Sequence, residues 1–243
     1  VAGTFSGGQA RRYIESSMLD ILFEDNHLLV VSKPAPMLTQ APDGVPSLEA
    51  LAKEYLRNKH AKSGRVYLGV PHRLDRPVSG VVIFARQTKS AQRLAEQFHS
   101  HRVQKVYWAI VAGSVQPAEG VWEDWLRKIR DESRTEVTAE ADAGAKHATT
   151  RYQTRAPVQG GCVLELKPQT GRMHQLRIQA ASRGHPILGD ALYGSATAFG
   201  PPAELPRDRV IALHAHSITF DHPIRFEPMT VTAPLPDYWP AIV

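Results

Sequence analysis

Between Pro71 and Gly80 the chain reads PHRLDRPVSG, which sets one carboxylate, Asp75, between Arg73 and Arg76 with His72 just upstream. The apolar run Val81–Ala85 follows. That order predicts a loop feeding a short buried strand. Loops held by a rigid element are where catalytic side chains concentrate. From Lys59 to Lys105 the basic residues are Lys59, Lys62, Arg65, Arg73, Arg76, Arg86, Lys89, Arg93, Arg102 and Lys105, and the only acids are Asp75 and Glu96. Nearby positive charge favours the ionised form of a lone carboxylate. An ionised carboxylate can serve as a nucleophile or as a general base. The plainer alternative is a loop acid tied to Arg73 or Arg76.

Two further stretches carry candidate site groups. Lys105–Gly113, KVYWAIVAG, is β-branched and aromatic and is expected to be a strand. A period of two puts Lys105, Tyr107 and Ala109 on one face and Val106, Trp108 and Ile110 on the other. Tyr107 then shares a face with a cation; a tyrosine capping the edge of the core fits equally well. Thr170–Gln179, TGRMHQLRIQ, gathers Arg172, His174 and Arg177 where a helix is expected to start, ahead of an apolar, Ala-rich segment ending at Gly184. An arbitrary Arg pair of this kind is ordinarily surface charge.

Other residues look chemical and have simpler readings. Asp190 and Tyr193 lie in the turn-rich GHPILGDALYG, where an Asp bonding turn backbone and a packed Tyr account for both. His214 and His216 face one side of a strand expected over Val210–Phe220, which mimics a metal pair. No acid or thiol lies at ligand spacing, so no metal site is expected.

The positioning elements follow from pattern. Ile21–Phe23 and Leu28–Ser32 flank Glu24-Asp25-Asn26-His27 and predict a β-hairpin that ends at Lys33-Pro34. Ser47 is a good N-cap, and Leu48, Leu51, Ala52, Tyr55 and Leu56 form a helical core stripe. Thr88 is expected to cap a second helix with Ala91, Leu94, Ala95 and Phe98 inward and Lys89 and Arg93 solvated. Trp122–Glu136, heavily charged with both signs, predicts a solvated loop or β-arm rather than a site. Thr149–Thr154 and Cys162–Lys167 alternate like paired strands around a Gly160-Gly161 turn, and Ser195–Arg209 is expected to be an exposed loop.

Composition bounds the class. The chain has 243 residues, enough for one large domain or two small lobes sharing a sheet, with a sizeable core. Hydrophobic residues at 42% and charged residues at 22% describe an ordinary soluble globular protein. A net charge of +5 permits a polyanionic partner. Cys162 is the only cysteine, which excludes an intrachain disulfide and a Cys-based zinc site and fits a reducing cytoplasm. No apolar run approaches the ~18 residues of a membrane span, and no signal-peptide pattern opens the sequence. Val1–Ser17, rich in Gly, Ser and Arg without a period, is expected to be a flexible tail over residues 1–17, with one catalytic domain over 18–243.

Three strings in order carry a resemblance: HRLD with Ser-Gly four residues on, Lys-x-Tyr-x-Ala at 105–109, and Gly-Arg-x-His-Gln-Leu-Arg at 171–177. Together they resemble the RluA-type pseudouridine synthase family, whose members isomerise uridine in RNA. The likeness runs from about Ile21 to Asp237. The chain departs from the usual family forms at Val78 for Thr, Pro36 for Gly and Gln179 for His. The resemblance implies an α+β fold: a mainly antiparallel mixed sheet flanked by helices, in two lobes with an RNA-binding cleft.

For the site, the resemblance implies Asp75 as the catalytic carboxylate, Tyr107 beside the target base and Arg177 paired with Asp75. It also implies that Arg73 fills the gap left by a flipped base or holds phosphate. Lys105 and Arg172 are candidate backbone contacts. No cofactor and no metal are implied. The expected partner is RNA, a ribosomal or transfer RNA stem-loop, with no membrane and no obligate protein partner. About 20 residues precede the first predicted strand in this sequence, and no added RNA-binding module is expected within them. Two other readings are a non-catalytic RNA-binding protein on the same scaffold, and a metal-dependent hydrolase built on His72, His174, His214 and His216. Three intact candidate positions argue against the first, and missing carboxylate ligands against the second.

Overall fold

The computed structural model describes residues 19–61 and 63–241; the expected tail over 1–17 and Lys62 of the basic run lie outside them. The predicted hairpin forms from β1 (Asp20–Glu24) and β2 (Leu28–Lys33), paired antiparallel. Asp25 closes its turn by accepting N–H bonds from His27 and Leu28 at 2.7 and 2.8 Å. The apolar run after Gly80 is β3 (Ser79–Ala85), buried along its whole length and antiparallel to β2.

Gly80 explains why Ser-Gly stands at the head of β3. It adopts φ +119°, and a Cβ there would lie 2.3 Å from the carbonyl oxygen of Ala215. Only glycine lets the chain approach β9 (Leu213–Asp221) so closely. Ser79 and Gly80 pair there with His214 and Ala215 in parallel, which makes the otherwise antiparallel sheet mixed.

The other strands are β4 (Gln104–Ala112), β5 (Glu119–Lys128), β6 (Thr135–Thr138), β7 (Lys146–Val158), β8 (Gly161–Pro168) and β10 (Pro228–Thr232). All ten join one sheet in the order β1-β2-β3-β9-β4-β8-β7-β5-β6, with β10 on β9. The two expected lobes are thus halves of one continuous sheet meeting at β9 and β4. The charged Trp122–Glu136 stretch forms the β5–β6 edge.

Three α-helices lie among the described residues: α1 (Leu48–Lys59), α2 (Thr88–His99) and α3 (Gln175–Ala181). Ser47 caps α1 as expected, its hydroxyl accepting from the Ala50 N–H at 3.3 Å, and Leu48, Ala52 and Leu56 are buried. The start of α2 differs: Gln87 holds the cap position without a side-chain cap bond, and Thr88 is the first helical residue. Its inward face differs too. Leu94 is buried, but Ala95 is exposed, and Gln97 turns inward to donate to the Asp221 carbonyl and accept its N–H. Arg93, expected to be solvated, donates to the Pro223 carbonyl and stacks over Phe226 at 4.8 Å.

Candidate active site

A cavity of about 700 Å³ opens where the loop before β3, strand β4 and the start of α3 converge. Its lining includes Arg73, Asp75, Lys105, Tyr107, Arg172 and Arg177, so all six residues singled out from the sequence meet there.

The Asp75 loop is fixed from behind. Lys33, only 1% exposed, donates to the carbonyls of Pro34, Met37 and Arg76 at 3.1, 2.7 and 3.3 Å. Burial pushes this ammonium down to about 7, with the Asp75 charge opposing and Arg76 reinforcing the shift. Thr39 brackets the residue before Asp75: its hydroxyl donates to the Leu74 carbonyl and accepts the Leu74 N–H, at 2.9 and 3.0 Å. The lone lysine ending the apolar strand β2 is the one sequence signal that could have marked this support. Arg76 turns away to Asp208 at 2.9 Å. Asp75 is therefore tied to neither flanking arginine.

Its partners come instead from the third motif. Arg177 Nη1 approaches Asp75 Oδ2 at 3.3 Å, and His174 Nε2 approaches the same oxygen at 3.5 Å. The Arg177 contact expected from the resemblance is present, but Arg177 has a stronger partner. Its Nε and Nη2 donate to the two oxygens of Asp190 at 2.6 and 2.7 Å, and Asp190 is 1% exposed. The Tyr193 ring covers the guanidinium at 5.1 Å. This corrects the expected turn-bonding role of the Asp190 carboxylate: the Asp190 backbone carbonyl takes the turn bonds, from Tyr193 and Ser195. The bidentate geometry aims the remaining Arg177 nitrogen at Asp75. A site built this way holds one carboxylate with a fixed cation beside it and an open cavity in front.

Tyr107 and Lys105 share a face of β4 as the period predicts, and the register shift against β9 at Val106/Tyr107 falls on β9, where His216 is passed over. Burial, and then the negative charge of Asp75, push the Tyr107 hydroxyl well above the usual phenol range. It is a neutral phenol through the physiological range, so any proton it accepts must be matched by one it releases. Burial lowers the Lys105 ammonium. Arg172 donates from Nε to the His147 carbonyl at 2.9 Å, which holds its head at the boundary with a second cavity of about 780 Å³. That cavity is lined by Arg127, Arg130, Lys128 and Lys146 as well as Glu136, so the β5–β6 edge is closer to the site than its composition suggested. Arg73 is exposed at the mouth of the first cavity.

The other imidazoles of the metal reading are bonded or stacked within the fold, although His72 also borders the cavity. His72 accepts the Ile83 N–H on Nε2 at 2.9 Å and stacks on Phe98. His214 bonds Ser79 through Nδ1 at 2.8 Å and faces the Ala233 carbonyl through Nε2 at 3.2 Å. His216 stacks on Trp108 at 4.2 Å. Gln179, where the family usually has His, accepts from the Thr150 hydroxyl and donates to Asp124, stitching α3 to β7 and β5.

Burial pushes His72 down to about 3, with Lys105 adding to it, and His214 down to about 4. Both are neutral in the fold, whereas their unfolded counterparts bind protons below about 6.5. Their contribution to stability is full above that value and declines as the pH falls from there toward 4. The thermal midpoint is expected to drop over that window, and a flat profile from pH 6.5 to 4 would show that these rings are not held neutral.

A mixed sheet carrying a cation-clamped carboxylate on a loop ahead of a buried strand is the arrangement that the resemblance implies. Residues 27–182 match the family model for RNA pseudouridylate synthase. The chain is 36% identical over 225 residues to "Ribosomal large subunit pseudouridine synthase D" of Xylella fastidiosa, covering 90% of this chain and 66% of that protein. It is 31% identical over 237 residues to "tRNA pseudouridine synthase C" of Vibrio cholerae, covering 93% of this chain and 95% of that one. The chain thus spans just under two thirds of the Xylella relative and almost all of the Vibrio one. The fold is shared with "Human RNA Pseudouridylate Synthase Domain Containing 4", with a TM-score of 0.75 and 24% identity over 95% of this chain and 94% of that one. The chain belongs to the RNA pseudouridylate synthase family, in its RluA-type branch.

Proposed function

We propose that this chain is a cytoplasmic RNA pseudouridine synthase that isomerises uridines in ribosomal or transfer RNA, with residues 18–243 as its catalytic domain and Asp75 as its reacting group. The observation that carries this reading is the Asp75 carboxylate, 33% exposed at its side chain, held by Arg177 at the floor of a cation-lined cavity.

The reaction moves no atoms in or out. The bond from uracil N1 to ribose C1′ breaks, a bond from C5 to C1′ forms, C5 loses its proton and N1 gains one. Asp75 serves this in either of two ways. It attacks C1′, releases the uracil, and is displaced when C5 attacks. Alternatively it removes the C2′ proton to give a glycal and returns that proton after C5 has bonded. Both routes regenerate the carboxylate. Arg177 holds the Asp75 carboxylate aimed through its Nη1. Tyr107 packs on the base and passes the C5 proton by accepting it while releasing its own.

A target uridine in a stem or loop must leave its stack. Arg73 at the cavity mouth fills the gap or holds phosphate, and Lys105 and Arg172 contact the backbone. The test is direct. Purified chain is incubated with ribosomal and transfer RNA, and pseudouridine is mapped by mass spectrometry. Site-specific conversion is expected; none on either RNA, with folded protein, would end this reading.

Tyr107→Phe separates stacking from proton handling. The variant is expected to bind RNA like wild type but to fall at least about tenfold in turnover, within the range for loss of one acid–base group. Unchanged turnover would restrict Tyr107 to packing.

A further inference from the structure

His174 and Tyr193 have no part in the scheme above, yet they are wired to Asp75. His174 stands at the start of α3 with φ +52°, a left-handed conformation that costs a side-chain-bearing residue energy. Its side chain is 11% exposed. The ring sits edge-on to Tyr193, and its Nδ1 lies 2.9 Å from the Tyr193 hydroxyl. That hydroxyl accepts the backbone N–H of Thr135, at the first residue of β6, at 2.9 Å. On the far side of the ring, Nε2 faces Asp75 Oδ2 at 3.5 Å.

Two constraints choose the tautomer. A lone pair on Nε2 would face a carboxylate oxygen, so Nε2 must carry the proton. Nδ1 is then an acceptor, and the Tyr193 O–H donates to it while its oxygen takes the Thr135 N–H. Burial lowers the His174 imidazole, with Asp75 and Asp190 opposing and Arg177 reinforcing, so the ring is neutral and has one proton to place.

We infer that His174 is a positioning residue for Asp75: its Nε2–H, fixed in place by Tyr193 and through it by strand β6, holds Oδ2. This rests on Asp75 being the reacting carboxylate. Arg177 Nη1 approaches the same Oδ2, and no hydrogen bond reaches Oδ1 among the described residues. The two donors thus assign one oxygen to support and leave the other for the ribose. A contact of 3.5 Å is longer than a hydrogen bond at its best, and a small rotation of the Asp75 side chain closes it. A neutral donor suits this place. A second cation on Oδ2 would draw charge from the reacting carboxylate, whereas a neutral imidazole N–H orients it with less withdrawal of charge.

The experiment reads the tautomer first. Nitrogen-15 spectra of the full chain at neutral pH are expected to give His174 as protonated on Nε2 and bare on Nδ1. In Tyr193→Phe the ring loses its donor and is expected to populate both tautomers, while kcat falls by up to about 10²-fold with KM nearly unchanged, the scale of a misaimed reacting group. His174→Gln, which keeps an N–H donor, is expected to retain more kcat than His174→Ala. A wild-type His174 protonated on Nδ1, or doubly protonated, at neutral pH would overturn the inference without reference to activity. So would a Tyr193→Phe protein with wild-type kcat, or equal losses in His174→Gln and His174→Ala. The expected tautomer in a protein that converts no uridine would leave the wiring standing and remove only the proposed reaction.

Discussion

Replacing Asp75 with Asn is expected to abolish isomerisation, lowering turnover by at least about 10⁴-fold, the scale on which removing a reacting group acts. The amide keeps the size of the side chain and its place on the loop. It cannot form a glycosyl ester or take a ribose proton. Folding should survive, because the loop is held through backbone carbonyls by Lys33 and through Leu74 by Thr39, not through the Asp75 carboxylate. RNA binding should survive as well, since the cations around the cavity are untouched. Single-turnover assays with excess enzyme, alongside filter binding and thermal melts, separate these effects. Appreciable conversion by sequence-verified Asp75→Asn protein would remove Asp75 from the chemistry.

Arg177→Ala is expected to damage stability and catalysis together, unlike Asp75→Asn. Arg177 is 5% exposed, and its guanidinium is the partner of both Asp190 oxygens. Its loss would leave Asp190, 1% exposed, as an unpaired buried carboxylate. Breaking such a pair typically costs ~3–5 kcal/mol. In a domain of this size that lowers the melting midpoint on the order of 10 °C. The part of the loss that reaches Asp75 should appear as reduced kcat. Arg177→Lys restores a charge but cannot bridge two Asp190 oxygens and still reach Asp75, so only partial recovery is expected. Combining Arg177→Ala with Asp190→Asn should give a protein that melts higher than Arg177→Ala alone, because the orphan charge is gone. An Arg177→Ala protein with wild-type melting and turnover would refute the role of this cluster.

Much of this site was legible in the sequence because its parts are local. HRLD followed by Ser-Gly specifies a loop running into a buried strand, and the strand period of 105–109 puts Lys105 and Tyr107 on one face. Those features depend on neighbours a few residues away. The resemblance then supplied the pairing of Asp75 with Arg177, separated by 102 residues.

What the sequence could not decide was where the other charges go. Asp190 looked like a turn residue, since nothing within its own loop differs from any Asp in a turn. Its carboxylate is spent on Arg177 because the turn folds back beneath α3. Ala95 fitted the helical stripe of α2, but Gln97 went inward, where its amide both donates to the Asp221 carbonyl and accepts the Asp221 N–H at the end of β9. The charged β5–β6 stretch read as a solvated arm. Only the sheet order, which carries β6 to the outer edge beside α3, brings Thr135 to Tyr193 and so to His174 and Asp75. Residue type and local period determined which groups could react. Long-range packing decided which oxygen is approached and by what, because burial and charge partners are properties of the assembled fold.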